Sequence, residues 1–416
     1  MPVFSNFKNT VLLWVLIPII IVSSCGNQSK TQNTKTDSVK VKSELTQSRI
    51  IVGANNLNAY LPQLKGQRVA IVANQTSVIF NKNSQYTHLV DSLLAHHVNI
   101  KKVFAPEHGF RGAADAGEHV KDGIDAKTGL PIISLYGKNR KPTPSQLANV
   151  DVVIFDIQDV GVRFYTYIAT LQLVMEACAE SKRKIIVLDR PNPNGHYIDG
   201  PSMETENQGF LGMTNIPLVY GMTIGEYANM LNGEGWLSGS KHVNLTIVPL
   251  DKYNHLSEYE APIRPSPNLP NATAINLYPS LGLFEGTNIN AGRGTEFQFQ
   301  RYGASFLDKS QYSFVYFPKP NFGSKTPKEN GKKCYGKDLS KTPRISEVSL
   351  KWIIDAYANC TDKSLFFNTS GFTKHAGTEL LQKQIEDGLS EDEIKATWQE
   401  DLEAFKLIRE KYLLYD

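Results

Sequence analysis

Cysteine is scarce. Four residues in 416 carry a thiol, at 25, 178, 334 and 360, with no Cys-x-x-Cys pair and no His at ligand spacing, which argues against a structural or catalytic metal site. An excess of one charge is missing as well. The 44 Lys and Arg stand against 41 Asp and Glu with no polybasic stripe, which removes the usual footprint of a nucleic-acid binder. Gly-x-Gly-x-x-Gly does not follow the first strand-like run, where Asn74-Gln75-Thr76-Ser77 stands instead. Gly-x-x-x-x-Gly-Lys-Ser/Thr is absent too, so neither a dinucleotide nor a nucleoside triphosphate has its phosphate cradle. There is no Gly-x-Ser-x-Gly elbow and no plausible Cys/His pair, which weakens a serine or cysteine hydrolase.

The apolar run Val11 to Val22 is twelve residues long, too short for a membrane span, and with Lys8 before it fits the core of a secretory signal. It stops at Val22-Ser23-Ser24-Cys25, which resembles the lipobox of bacterial lipoproteins, where cleavage precedes a Cys that then carries lipid. Gly26 to Ser48 is rich in Ser, Thr, Asn, Gln and Lys and cannot bury a core. The expectation is a signal over 1–24 and a lipid-anchored tether over 25–48, on a protein of the bacterial cell envelope. Gly26-Asn27-Gln28-Ser29 carries no acidic cluster, which favours the periplasmic face. An ordinary cleaved signal with a chance Cys25 is the weaker reading.

The chain from 49 onward is long enough for two domains of roughly 100 to 200 residues each. From Arg68 to Leu188, short β-branched runs alternate with helical segments, the mark of a parallel sheet wound with helices. His88 to His97 puts Leu89, Leu93 and Leu94 on one helical face, and Tyr167 to Lys182 does the same with Leu171, Val174, Met175 and Cys178. The fold class that follows is α/β. A Rossmann-like parallel-sheet domain without a dinucleotide motif covers 49–200, and a second, smaller α/β domain with C-terminal helices covers 201–416. In that second half, Thr223 with Glu226 and Ser390 with Glu393 read as capping boxes and Leu245 to Pro249 as a strand. Arg264 to Pro270 reads as a stiff extended loop, and Cys334 and Cys360 could pair in an oxidising compartment.

Ligands of open α/β sheets gather beyond the carboxyl ends of the strands. Four strand-like runs here end in polar residues: Val98 to Phe104 in Pro106-Glu107-His108-Gly109-Phe110-Arg111-Gly112, and Val69 to Ala73 in Asn74-Gln75-Thr76-Ser77. Val152 to Phe155 ends in Asp156-Ile157-Gln158-Asp159, and Ile185 to Leu188 in Asp189-Arg190-Pro191-Asn192-Pro193. Any one of them is explained by turn chemistry, a helix cap or an ion pair, whereas the set points to a site. Glu285, Asn288 and Arg293 form a second polar cluster among Gly286, Gly292 and Gly294, which permit close backbone approach.

Together, Asn74-Gln75-Thr76, Pro106-Glu107-His108-Gly109, Asp156-Ile157-Gln158-Asp159-Val160-Gly161-x-Arg163-x-Tyr165-Thr166-Tyr167, Asp189-Arg190-Pro191-Asn192-Pro193 and Phe284-Glu285-Gly286-Thr287-Asn288 resemble the exo-β-N-acetylmuramidase family of bacterial cell-wall recycling, often called NamZ. The motifs stand in the family's order over roughly Val69 to Thr295. The resemblance implies a Rossmann-like domain joined to a smaller α/β domain with the active site between them. It also implies hydrolysis of a terminal, non-reducing N-acetylmuramic acid from peptidoglycan fragments, with no metal, nucleotide or other cofactor.

Such a reaction needs an acid for the leaving oxygen and a second carboxylate, or the substrate's own acetamido group. Glu107 is the candidate acid and His108 its orienting partner. The second role stays open between Asp156, Asp159 and the acetamido group. The lactyl carboxylate of muramic acid calls for a guanidinium, with Arg163, Arg190 and Arg293 as candidates. Tyr165 suits a sugar face, and Asn74, Arg111, Asn192, Glu285 and Asn288 complete the expected binding set. The expected partners are peptidoglycan-derived disaccharides or glycan chain ends, and the membrane through a lipid on Cys25. The rival is a non-catalytic envelope lipoprotein that binds muropeptides or another anionic sugar in the same cleft.

Overall fold

The computed structural model describes residues 50–81, 85–111 and 122–416. The expected signal, Cys25, the polar stretch to Ser48 and Gly112 lie outside the described residues. The first strands are β1 Arg68–Ala73, β2 Val78–Phe80, β3 Tyr86–His88, β4 Asn99–Ala105, β5 Gly123–Ile124, β6 Pro131–Ser134, β7 Val152–Asp156, β8 Lys184–Leu188 and β9 Asn244–Val248. Among the described residues, seven of them form the main sheet in the order β5-β6-β4-β1-β7-β8-β9, parallel from β6 to β9 with β5 an antiparallel edge. The chain winds outward from β1 through β4 to β6, then returns to the other side of β1 for β7, β8 and β9. That reversal between β1 and β7 is the switch point of a doubly wound sheet.

Parallel sheets need both faces covered, and alternation along each strand supplies two apolar faces. Val69, Ile71 and Ala73 pack with Tyr60 and Leu64 of α1 (Leu57–Leu64) and with Leu89 and Leu93 of α2 (Leu89–Ala95). Ala70 and Val72 face the other way, beyond α3 (Pro144–Leu147), into a core with Leu171, Val174 and Met175 of α4 (Tyr167–Glu180). The next helix, α5 (Ile224–Gly233), has the capping box expected at Thr223 and Glu226. The sheet does not stop at residue 200, since β9 is its last strand.

Beyond β9 come α6 (Ala272–Leu281), a 3-10 turn over Gly282–Gly286, and an antiparallel sheet of β10 (Arg301–Ala304), β11 (Phe314–Tyr316) and β12 (Cys334–Asp338) in the order β10-β12-β11. Helices α7 (Lys351–Ala358), α8 (Thr369–Ala376), α9 (Leu380–Glu386), α10 (Glu391–Ala396) and α11 (Gln399–Arg409) follow. The proline-bearing stretch around Tyr278 is helical even though Pro279 removes one backbone donor. The carbonyl left without it, that of Ile275, accepts from the Asn194 side chain at 3.0 Å, and Asn271 caps the start. Cys334 and Cys360 are buried free thiols, as is Cys178 within α4.

Asp156 and Arg190, both expected at the site, meet in the core instead. Arg190 Nε and Nη2 lie 2.6 and 2.9 Å from the two Asp156 oxygens, and Nη2 also donates to the Val78 carbonyl at 3.0 Å. Two charges this buried are tolerated because each satisfies the other's fork geometry. Removing one partner is the costly change. Asp156→Ala is expected to lower unfolding free energy by about 3–5 kcal/mol, read as a shift of the urea midpoint at unchanged slope; a loss below about 1 kcal/mol contradicts the pairing.

Candidate active site

The switch-point crevice, where a doubly wound protein commonly holds a nucleotide, is closed by the chain's own side chains. Asn74 Oδ1 accepts from the Thr76 N–H at 2.9 Å and the Thr76 hydroxyl at 2.6 Å. Ser77 donates to the Asp156 carbonyl, and the Gln158 N–H donates to Thr76 Oγ1 at 3.0 Å. Asn74 is thus a buried fastener between the ends of β1 and β7 and does not line the cavity.

That cavity, about 400 Å³, opens beyond the ends of β4, β6 and β7. After β4, the Gly109 N–H closes a turn onto the Pro106 carbonyl at 3.0 Å, with Glu107 and His108 as its central residues. His108 adopts φ 68, a left-handed conformation that costs a non-glycine residue about 1–3 kcal/mol. Phe110, buried beneath the turn, meets the His88 ring edge-on at 4.9 Å. The turn presents the Glu107 carboxylate to the cavity, where Thr166 donates to it at 2.8 Å and Tyr136 hydrogen-bonds to it from the loop after β6. Burial, then the Glu107 charge, pushes the Tyr136 hydroxyl up to about 12, so it remains a donor. Tyr165 and Tyr167 form the floor, edge to face at 4.7 Å.

Another part of the lining comes from the second half of the chain. Arg293 donates to Glu285 at 2.9 Å, both side chains about one-fifth exposed at 21% and 23%. Lys328 is bound to the carbonyls of Phe284, Glu285 and Thr287 at 2.9, 2.9 and 2.6 Å, which fixes the 3-10 turn carrying Glu285. Burial works to raise the Glu285 carboxyl, yet the charges of Arg293 and Lys328 outweigh it and the net shift is downward. Tyr278, Phe299, Lys374 and His375 complete this side.

Several other expected site residues have structural duties. Arg163 is buried and, among the described residues, faces no carboxylate; its Nη1 donates to the carbonyls of Pro201 and Ile216 at 2.7 and 2.8 Å, and its Nη2 to those of His375 and Ala376 at 3.2 and 2.6 Å. Burial pulls this guanidinium down to about 9. Arg111 pairs with Asp125 at 2.8 Å and lies over Phe110, and Asn192 donates to the Met222 carbonyl at 2.8 Å. Asn288 is exposed and donates to the Leu365 carbonyl at 2.7 Å. Asp159 accepts from the Tyr220 hydroxyl and, at 2.7 Å, from the Gly161 N–H; it is buried outside the cavity lining. Of the expected set, Glu107, His108, Tyr165, Glu285 and Arg293 line the cavity together.

Tyr136 and Arg140 escaped the sequence reading although the same strand-end rule applies to β6, whose Leu135-Tyr136-Gly137-Lys138-Asn139-Arg140 continuation is polar. Lys374, His375 and the loop residues Asn207 to Leu211 carry no local signal; tertiary packing alone brings them in.

Fold and site define a doubly wound α/β protein with a polar, ring-lined cavity holding two carboxylates beyond its strand ends. Residues 69–273 match the N-terminal domain of exo-beta-N-acetylmuramidase NamZ, and residues 276–415 its C-terminal domain. The chain belongs to the exo-β-N-acetylmuramidase NamZ family. It is 37% identical to the peptidoglycan beta-N-acetylmuramidase NamZ of Bacillus subtilis (strain 168), over 95% of this chain and 96% of that protein. Two crystal structures of DUF1343 family proteins from Bacteroides fragilis are similar to it. One has a TM-score of 0.80 and 44% identity over 89% of this chain and 99% of its own, the other 0.75 and 28% over 88% and 99%.

Burial pushes the Asp159 carboxyl up to about 6, against the hydrogen bonds that hold it down. An acid whose pKa is higher folded than unfolded favours the folded state most at low pH. Its contribution is full below about pH 4 and is lost as pH rises through about 6, on the order of 3 kcal/mol in all. Asp159→Asn keeps an acceptor and cannot ionise. Relative to wild type, its unfolding free energy is expected to rise by that order between about pH 4 and 7; a difference constant across that window contradicts the buried acid.

Proposed function

We propose that this chain is an exo-acting glycoside hydrolase that releases terminal, non-reducing, β-1,4-linked N-acetylmuramic acid from peptidoglycan fragments, in cell-wall turnover and recycling. The observation that carries the proposal is the Glu107 carboxylate, held by the Thr166 and Tyr136 hydroxyls at the mouth of a strand-end cavity, in a chain of the muramidase family.

Glu107 protonates the glycosidic oxygen as the bond to the leaving sugar breaks, the role a positioned carboxyl fills in this chemistry. Asp156 and Asp159 lie outside the cavity lining, so the second role falls to Glu285 or to the 2-acetamido group of the muramic acid itself. A carboxylate held down by Arg293 and Lys328 is a weak base, which favours the acetamido group as internal nucleophile and leaves Glu285 with Arg293 to bind substrate. The cavity lining has three cations, Arg140, Arg293 and Lys374, against the two carboxylates, Glu107 and Glu285, a balance that suits an anionic sugar. Arg293 and Lys374, the lining cations contributed by the second half of the chain, are the groups we assign to the lactyl carboxylate. The lining rings of Tyr165, Tyr167 and Tyr278 suit a sugar face.

The apolar run Val11 to Val22, the Cys25 shortly after it and the polar stretch behind support an envelope lipoprotein facing the periplasm, where peptidoglycan fragments are met. Incubation with the disaccharide N-acetylmuramyl-β-1,4-N-acetylglucosamine is expected to release free N-acetylmuramic acid, detected by mass spectrometry. Glu107→Gln is expected to lower turnover by at least roughly 100-fold with the thermal midpoint unchanged. Unchanged turnover in that variant removes Glu107 as the acid, and binding without release by the wild type moves the protein to the receptor reading.

A further inference from the structure

A second groove of about 630 Å³ adjoins the catalytic cavity, and Arg140, Gln208, Gly209 and Phe210 belong to both linings. The Arg140 guanidinium lies over the Phe210 ring at 4.3 Å, and Tyr136, which hydrogen-bonds to Glu107, stands 6.2 Å from that same ring. The junction is therefore a ledge of two rings and a cation directly beside the candidate acid. Beyond it the groove is lined by Lys138, Asn139, Lys141 and Leu173 and by no carboxylate. Lys141 is held by Glu176 and Glu180 at 3.1 and 2.9 Å, whereas Lys138 and Arg140 form no ion pair among the described residues.

Position gives the groove a direction. An acid donates to the leaving oxygen, so the leaving sugar lies on the side of the cavity where Glu107 stands. Tyr136, which hydrogen-bonds to Glu107, then the Phe210 ring with Arg140 over it, and then Lys138 continue from that side into the groove. We infer that this groove binds the glycan strand beyond the leaving sugar and that Lys138 and Arg140 meet the lactyl carboxylate of its next muramic acid. The inference rests on the muramidase reading and extends it to chain length: the enzyme works on free chain ends of peptide-stripped strands more efficiently than on the isolated disaccharide. An amide at that lactyl group, as a peptide stem would make, removes the charge the groove reads.

The test compares kcat/KM for the full chain on the peptide-free disaccharide, on the corresponding peptide-free tetrasaccharide, and on a tetrasaccharide whose internal lactyl carboxylate is amidated. Wild type is expected to prefer the free tetrasaccharide by about fivefold, the upper range for one exposed charge pair, and to lose the preference in high salt. Lys138→Glu, at an exposed position, is expected to abolish the preference while the disaccharide rate stays at the wild-type value. Wild type is likewise expected to treat the amidated tetrasaccharide like the disaccharide. Equal efficiency of wild type on all three substrates, or a preference that survives in Lys138→Glu or on the amidated strand, overturns the groove alone. Turnover of none of the three overturns the muramidase reading and the groove with it.

Discussion

Arg163 is buried without a carboxylate beside it among the described residues, and the assembly of the cavity follows from how its N–H groups are used. Water is excluded, so the cation can be kept only by strong acceptors. Its Nη2 reaches the last two carbonyls of α8, those of His375 and Ala376, which a helix end leaves without backbone partners and which carry the negative end of its dipole. Its Nη1 takes the carbonyls of Pro201 and Ile216. One side chain thus ties the segment after β7, with Tyr165 and Thr166, to the end of the helix carrying Lys374 and His375. The fit is close: a Cβ at Gly377, where φ is 87, would lie 2.5 Å from Arg163 Nη2.

Much of this was legible in the sequence at the level of elements and less at the level of orientation. The alternation of apolar runs predicted the wound sheet, and one of the polar strand ends, that of β4, leads into the cavity through Glu107 and His108. Two neighbouring motifs then diverged. Asp156 shares the parity of Val152 and Ile154, which point into the core with α1 and α2, whereas Tyr165 and Tyr167 belong to the core on the other face. A carboxylate at a strand end faces core or cavity according to that parity and to its partner, and Arg190 supplies the partner.

The second wall was half legible. Glycines around Glu285 and Arg293 marked a close-packed polar turn, but nothing in its neighbourhood announced Lys328, which satisfies three carbonyls of that turn from more than forty residues away. Helix α6 runs through Pro279 because Asn194, a residue of the first half, replaces the donor that Pro279 lacks. Long-range polar satisfaction of this kind has no periodicity to read.

These constraints converge on a division of labour. In the proposed mechanism the first half holds the acid on a strained turn and directs the leaving side of the cavity, and the second half holds the anionic sugar. A crystal structure of Glu107→Gln with the disaccharide bound tests that division most directly. The account predicts residue 107 within hydrogen-bond reach of the glycosidic oxygen, the lactyl carboxylate toward Arg293 and Lys374, and the leaving sugar toward Tyr136 and Arg140. A disaccharide with its glycosidic oxygen at Glu285, or bound outside this cavity, would contradict it.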